Sequence, residues 1–342
     1  MMEKIKVGVI GCGSIAQHRH LPEYGMNKRV EIVAVCDKNE ERAVRVANEY
    51  GAKPYTDYKE LIESGTVDAV SVCTPNYLHA EISIYALNQG LHVLCEKPMA
   101  TSVEEAEEMI EAEKRSGKKL MIGHNQRFVS SHQKARELIK NGEIGRVYSF
   151  RTTFGHGGPA QWSVEGKESW FFKKEEAVIG AMGDLGVHKT DLLRYLLDEE
   201  FTEVGAFVEE NAKDYGDTDD NAVCVLKTKS GIIGTLAASW AYMGKEDNST
   251  IIYGEKAILR LEEDPTYSLI VQYANGEVGN YQLGKIQTNE EGGQRNTGVI
   301  DAFIHCIVED VVSPVPGEEG LKSLSVVLAA LKSSGTKRIT EI

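Results

Sequence analysis

Oxidising or forming a hydroxyl needs one group that steadies negative charge and another that moves a proton. Two short stretches of this chain carry such groups. Glu96-Lys97-Pro98 follows the apolar run Leu91-His92-Val93-Leu94-Cys95, so a lysine and a carboxylate stand at the carboxyl end of an expected strand. Open α/β sheets bind their ligands there. Pro98 has no N–H to give a ladder and ends the strand. Asp184, His188 and Asp191 are spaced by four and three residues. A helix would set them on one polar stripe, with Leu185, Leu192 and Leu196 on a separate apolar one. Each stretch also has a plainer reading: two solvated charges at a strand end, and a helix-capping aspartate with a surface histidine.

The segment Gly11-x-Gly13-x-x-Ala16 gives these groups a context. It follows an apolar run and opens a helical pattern, and Asp37 ends the next run 21 residues after Ala16. Glycines in that position let the backbone turn tightly and approach a pyrophosphate, whose charge then faces a helix N-terminus. Gly11, Gly13, Ser14 and Ile15 are therefore expected to bind a dinucleotide. Asp37 would accept from the adenosine ribose and repel a 2′-phosphate, which favours NAD. Lys38 beside it softens that repulsion and keeps NADP possible. Thr74-Pro75-Asn76, with His79 one turn later, leaves another strand end. It would line the nicotinamide ribose, or cap a helix. Glu96 and Lys97 complete the expected cofactor-binding set.

The elements that must position these groups change character along the chain. Over residues 1–124 apolar strands alternate with helical patterns, the sign of a doubly wound parallel sheet of Rossmann type. Strands are expected at Lys4–Ile10, Glu31–Asp37, Ala69–Cys73, Leu91–Cys95 and Leu120–Gly123. Helices are expected near Ser14–Tyr24, Asn39–Tyr50, Tyr77–Asn88 and Val103–Ser116, the last with the capping pair Ser102 and Glu105 and a terminal Gly117. Residues 125–342 read as an α+β domain with a mostly antiparallel open sheet. Its strands are expected at Val204–Glu210, Val223–Thr228, Ile232–Trp240, Ser249–Tyr253, Ala257–Leu261, Ser268–Tyr273 and Val278–Leu283. Asn275-Gly276 marks a hairpin. Helices near Gly298–Val311 and Glu319–Ser333 close the chain.

The totals exclude several classes. A net charge of −14 argues against nucleic acid or an anionic membrane as partner. No apolar run approaches the roughly 18 residues of a membrane span. The start, Met1-Met2-Glu3-Lys4, runs into a strand with no signal-peptide core, so a cytoplasmic enzyme is expected. Six scattered cysteines without a C-x-x-C pair are expected as buried small hydrophobes, with no metal site and no disulfide. The acidic run Asp214-x-x-Asp217-x-Asp219-Asp220 lacks calcium-loop spacing and reads as a solvated turn.

Taken together, Gly11-x-Gly13-x-x-Ala16, Asp37, Thr74-Pro75-Asn76-x-x-His79, Glu96-Lys97-Pro98, Arg127 in Gly123-His124-Asn125-Gln126-Arg127-Phe128, and Asp184-x-Gly186-x-His188-x-x-Asp191 resemble the Gfo/Idh/MocA-type family. That family includes glucose–fructose oxidoreductase and inositol 2-dehydrogenase. The resemblance covers essentially the whole chain and implies an NAD(P)-dependent oxidoreductase. Its substrate would be a secondary hydroxyl, or the matching ketone, of a sugar or cyclic polyol. It assigns Lys97 to substrate and cofactor contact, His188 to proton transfer and Asp184 to the sugar hydroxyls. The rate of oxidation would then fall on acidification through the histidine range. Arg127, His156 and Trp170 are the expected substrate-side residues. Val178-Ile179 depart from the pattern, standing where glycines are common in the family. The family also implies a homodimer or homotetramer paired through the open sheet. Two alternatives stay open: a glycoside-cleaving member that recycles its own NAD, and a non-catalytic sugar or dinucleotide sensor.

Overall fold

Six parallel strands form the first sheet of the computed structural model, which describes residues 4–288 and 296–342. They are β1 (Ile5–Ile10), β2 (Val30–Cys36), β3 (Lys53–Tyr55), β4 (Ala69–Val72), β5 (His92–Cys95) and β6 (Leu120–Ile122). Their order, β3-β2-β1-β4-β5-β6, is doubly wound with a switch point between β1 and β4. Val7, Val9, Val70, Val72, Val93 and Leu94 are all buried, as near-continuous apolar runs covered on both faces should be. The sequence reading lacks β3 and the helix Tyr58–Glu63. Lys53-Pro54-Tyr55 has no apolar run to mark it, and its proline is tolerated because β3 is an edge strand.

The helix expected over Ser14–Tyr24 is two pieces, a π-helical turn at Ala16–His20 and an α-helix at Leu21–Met26. The helix Val103–Ser116 begins and ends as expected. Ser102 Oγ accepts from the Glu105 N–H at 3.1 Å, and Gly117 takes φ +66°. The Glu105 carboxylate, however, reaches the Thr101 N–H at 2.9 Å, one residue earlier than a simple capping box.

The second sheet has nine strands: β7 (Val147–Gly155), β8 (Phe201–Glu209), β9 (Asn221–Thr228), β10 (Ile233–Ser239), β11 (Thr250–Gly254), β12 (Ala257–Leu261), β13 (Leu269–Tyr273), β14 (Val278–Tyr281) and β15 (Thr340–Glu341). The order is β14-β13-β12-β11-β7-β10-β9-β8-β15. Every neighbouring pair is antiparallel except β7 and β10. The mostly antiparallel sheet is as expected, but the sequence reading starts it at Val204 and lacks its central strand β7. Serine, threonine and arginine interrupt the apolar residues of β7 and blur its signal. At the Asn275-Gly276 hairpin only Gly276 takes positive φ, +91°.

One face of this sheet packs on helices and the other is open. Ile232, Leu236 and Ala238 are buried on the inner side. The open face instead presents Phe207, Val223, Val225 and Ile233. The C-terminal segments return to the first sheet. Val315 O accepts from the Ile122 N–H at 3.0 Å. Gly317 and Gly320, on the helix Gly317–Thr336, let it pass close to the helix Val103–Ser116 and to β6: an added Cβ would meet Ile110 and Ile122, respectively, at 2.8 Å. All six cysteines are buried and unbridged. Among the described residues, no helix is long and apolar enough to cross a membrane. The start Met1-Met2-Glu3 lies outside the described residues.

Candidate active site

A cleft opens at the carboxyl ends of β1, β4 and β5, roofed by the second sheet's loops. Gly13, Ser14 and Ile15, Thr74, Asn76 and His79, and Glu96, Lys97 and Pro98 all line its wall. Gly11 takes φ +91°, and a Cβ there would meet the Cys73 carbonyl oxygen at 2.5 Å. At Gly13 an added Cβ would meet nothing within 4 Å, so bare backbone faces the cleft. That cradle fits a pyrophosphate and, with it, a dinucleotide.

Gly11, Asp37 and Pro75 do not belong to the cleft wall itself. Asp37 is buried at the end of β2 and does a second job there. Its Oδ2 accepts from the Cys12 N–H at 2.9 Å and its Oδ1 from the Asn39 N–H at 2.9 Å. The carboxylate thus anchors the glycine turn while keeping lone pairs for a ribose. Asn76 Nδ2 donates to the Ala177 carbonyl at 2.8 Å. The His79 ring lies between the carbonyls of Thr74, at 2.9 Å, and Pro98, at 2.7 Å, and links the two strand-end loops.

Glu96 and Lys97 diverge. Glu96 is paired with Arg19 and with His20 Nε2, the latter at 2.7 Å, which turns it into the first domain. Lys97 Nζ donates to Asp184 Oδ1 at 2.7 Å and to the Asp184 carbonyl at 3.0 Å. Asp184 Oδ2 in turn accepts from Trp240 Nε1 at 3.1 Å. Asp184 is therefore aligned with Lys97 and Trp240, where the sequence reading sets it on one stripe with His188. Arg19, His20 and Trp240 carry no signal of their own in the sequence; they reach the site through the fold.

His188 lies in the same wall and is 8% exposed. Burial pushes its pKa well below the ordinary histidine value, and the nearby charges of Lys97, His124, Arg19 and Lys189 add to that. The ring is neutral at neutral pH and keeps a lone pair for a proton. Phe154 and His124 flank it, with ring centroids at 5.7 and 6.5 Å.

The expected polar stripe divides. Asp184 and His188 face the cleft, while Asp191 points into a buried ion cluster, accepting from Arg127 at 2.6 and 2.8 Å. Arg127 also donates to Glu319 at 2.8 Å. Its Nε and Nη2 are committed to these carboxylates and Arg127 is not in the cleft wall, so the substrate-side role expected for it does not match this geometry; Asn125 and Gln126 stand there instead. His156 and Trp170 do line the cleft. His156 Nδ1 accepts from the Gly158 N–H at 2.9 Å, and Trp170 stacks on Phe171 at 3.9 Å between centroids.

The turn that delivers Asp184 is π-helical over Met182–Gly186. It is held by Asp219 of the acidic run, in which Asp214 and Asp217 are exposed as a solvated turn would be, while the less exposed Asp219 and Asp220 bind backbone. Asp219 accepts from the Gly180 and Met182 N–H groups at 2.7 and 2.8 Å. Asp220, 1% exposed, accepts from Asn211, Ala212 and Lys213 at 3.1, 2.8 and 2.7 Å. Just upstream, Val178 takes φ +64°, a region that glycine occupies without strain and a β-branched residue does not. The departure noted at Val178 therefore falls where the backbone favours glycine.

Known proteins share this architecture. Residues 5–124 match an oxidoreductase family described by its NAD-binding Rossmann fold, and residues 132–260 match the GFO/IDH/MocA C-terminal domain. The chain is 28% identical to the myo-inositol 2-dehydrogenase of Thermotoga maritima, covering 99% of this chain and 98% of that protein. It is also 28% identical to the D-glucoside 3-dehydrogenase of Escherichia coli K12, covering 99% and 97%. The crystal structure of an aldose-aldose oxidoreductase from Caulobacter crescentus, complexed with glycerol, superposes with a TM-score of 0.85 at 25% identity, covering 99% and 100%.

Proposed function

We propose, from the premise that the chain belongs to the GFO/IDH/MocA oxidoreductase family, that it oxidises a secondary hydroxyl of a sugar or cyclic polyol, or reduces the matching ketone. It is an NAD-binding oxidoreductase; the choice of substrate and of working residues is our reading. The observation that carries it is Lys97, salt-bridged to Asp184 at 2.7 Å, in one cleft wall with the neutral His188 and the bare backbone of Gly13. Bound NAD supplies the hydride acceptor. As the carbinol C–H bond breaks, the oxygen gathers negative charge, and the Lys97 ammonium is there to stabilise it. The hydroxyl proton passes to His188, leaving a ketone. Asp184 fixes the lysine and offers its carboxylate to neighbouring hydroxyls. Trp162 and Trp170 present apolar faces suited to a sugar ring.

Polyol and sugar substrates are in keeping with the names of the two relatives. That chemistry draws on the intracellular NAD pool, so the reading carries a cytoplasmic location. The test is a screen of purified protein with NAD against inositols, monosaccharides and glycosides, following NADH absorbance. Steady NADH formation with a free polyol or sugar supports the dehydrogenase. Aglycone release without net NADH would instead select glycoside cleavage, and neither signal would leave a sensor.

A further inference from the structure

The second domain reaches across the glycine turn with the segment Trp162–Glu165. Ser14 Oγ donates to the Trp162 carbonyl at 2.9 Å. Farther along, Glu165 meets Arg42 from the helix Glu40–Tyr50, with Nη2 donating to Oε1 at 2.6 Å. The other edge of the same guanidinium, Nη1, lies 3.4 Å from Asp37 Oδ2. Arg42 is thus bridged between the carboxylate expected to read the adenosine ribose and one contributed from 123 residues away in the chain. The three side chains are largely buried, 20% exposed for Arg42, 8% for Asp37 and 32% for Glu165.

We propose that Glu165 is a coenzyme-specificity residue, which disfavours NADP by occupying Arg42. An arginine near the ribose is the group that accommodates a 2′-phosphate, and it does so through its planar fork of N–H donors. Here each terminal nitrogen of that fork is taken by a carboxylate. Two carboxylates against one guanidinium leave the corner negative, so a 2′-phosphate meets repulsion and finds the cation engaged. Discrimination thus rests on a clasp between the two domains as well as on Asp37. The proposal rests on the dinucleotide site at Gly11–Ala16.

The test is direct binding, with Kd for NAD and NADP measured by calorimetry on purified protein. Glu165→Gln frees Arg42 and removes one negative charge. It should tighten NADP about tenfold or more while NAD changes by less than about threefold. Adding Arg42→Gln should cancel the gain. An unchanged ratio of the two Kd values in Glu165→Gln would overturn the proposal. So would equal weakening of both coenzymes, which would mean a clasp that only holds the segment in place. A gain that survives Arg42→Gln would overturn the route through Arg42. Wild-type protein that binds neither coenzyme would remove the dinucleotide site, and the proposal with it.

Discussion

Lys97 and His188 reach one cleft wall from different domains, and their environments suit opposite tasks. The ammonium is pinned by a carboxylate, while the imidazole is kept neutral by burial and nearby positive charge. Lys97→Ala should lower kcat by ~10²–10⁴-fold with NAD binding retained, and His188→Ala should do the same. Calorimetric binding beside steady-state kinetics checks this; near-wild-type turnover in both variants would mean the chemistry lies elsewhere. Because the His188 pKa is lowered, the ring gains its proton only well below the usual histidine range. The oxidation rate should therefore hold as pH falls through that range and drop only at lower pH, where the sequence alone leads one to expect a fall within it. An acid limb centred on the ordinary histidine value would assign the titration to another group. Asp37→Ser should reduce kcat/KM for NAD about tenfold or more, near 1.4 kcal/mol. It loses ribose acceptors and also the Cys12 N–H anchor. NADP use should rise; a wild-type preference for NADP would contradict the assignment.

Between residue and fold, the turn Gly180–Gly186 is the element on which the aim of Asp184 depends. Its backbone is clamped by Asp219, and Gly180 is the residue that allows the approach, since a Cβ there would meet the Asp219 carbonyl oxygen at 2.0 Å. Asp219→Ala would leave two N–H groups without acceptors, at about 1–3 kcal/mol each. It should lower the unfolding free energy by about 2–6 kcal/mol and reduce kcat as Lys97 loses its aligned partner. Denaturant midpoints and kcat measured on the same preparation check both. A lowered midpoint with unchanged kcat would show that the turn holds the fold but does not aim the carboxylate. The clamp was hidden in the sequence because a cluster of aspartates reads as solvent-loving. Nothing local tells that backbone N–H groups some 40 residues earlier (|i−j| 37 and 39) will need acceptors.

In the whole molecule, the second sheet uses one face for helices and leaves the other to solvent. Phe207 and Val223 are direct cross-strand partners, as are Val223 and Ala237. Phe207 is 74% exposed and Val225 55%, so the apolar patch runs across β8, β9 and β10. Patches of this kind usually mark contact surfaces, and we propose that this face pairs subunits into a homodimer or homotetramer. Light scattering at micromolar concentration should give at least twice the chain mass, and Val225→Lys should shift it toward monomer. A monomeric mass for the wild-type chain would end the idea.

The sequence by itself determined the parallel half of the fold, apart from β3 and the helix after it, and placed the residues expected at the cofactor edge. Strand periodicity, the glycine turn and the strand-end positions of Asp37, Thr74 and Lys97 are local features, written within a few residues of where they act. The pattern from Asp184 to His188 was legible for the same reason: one helical register carries both. Tertiary structure alone decided what these residues touch. It set Asp184 between Lys97 and Trp240, sent Arg127 to Asp191 and Glu319, and brought Glu165 to Arg42. Each of those contacts joins residues more than 50 positions apart. Such partners are chosen by which polar groups become buried together once strands and helices pack, because a buried charge without a counterpart is costly. Spacing along the chain fixes which side chains share an element; packing between elements fixes which charges must find each other.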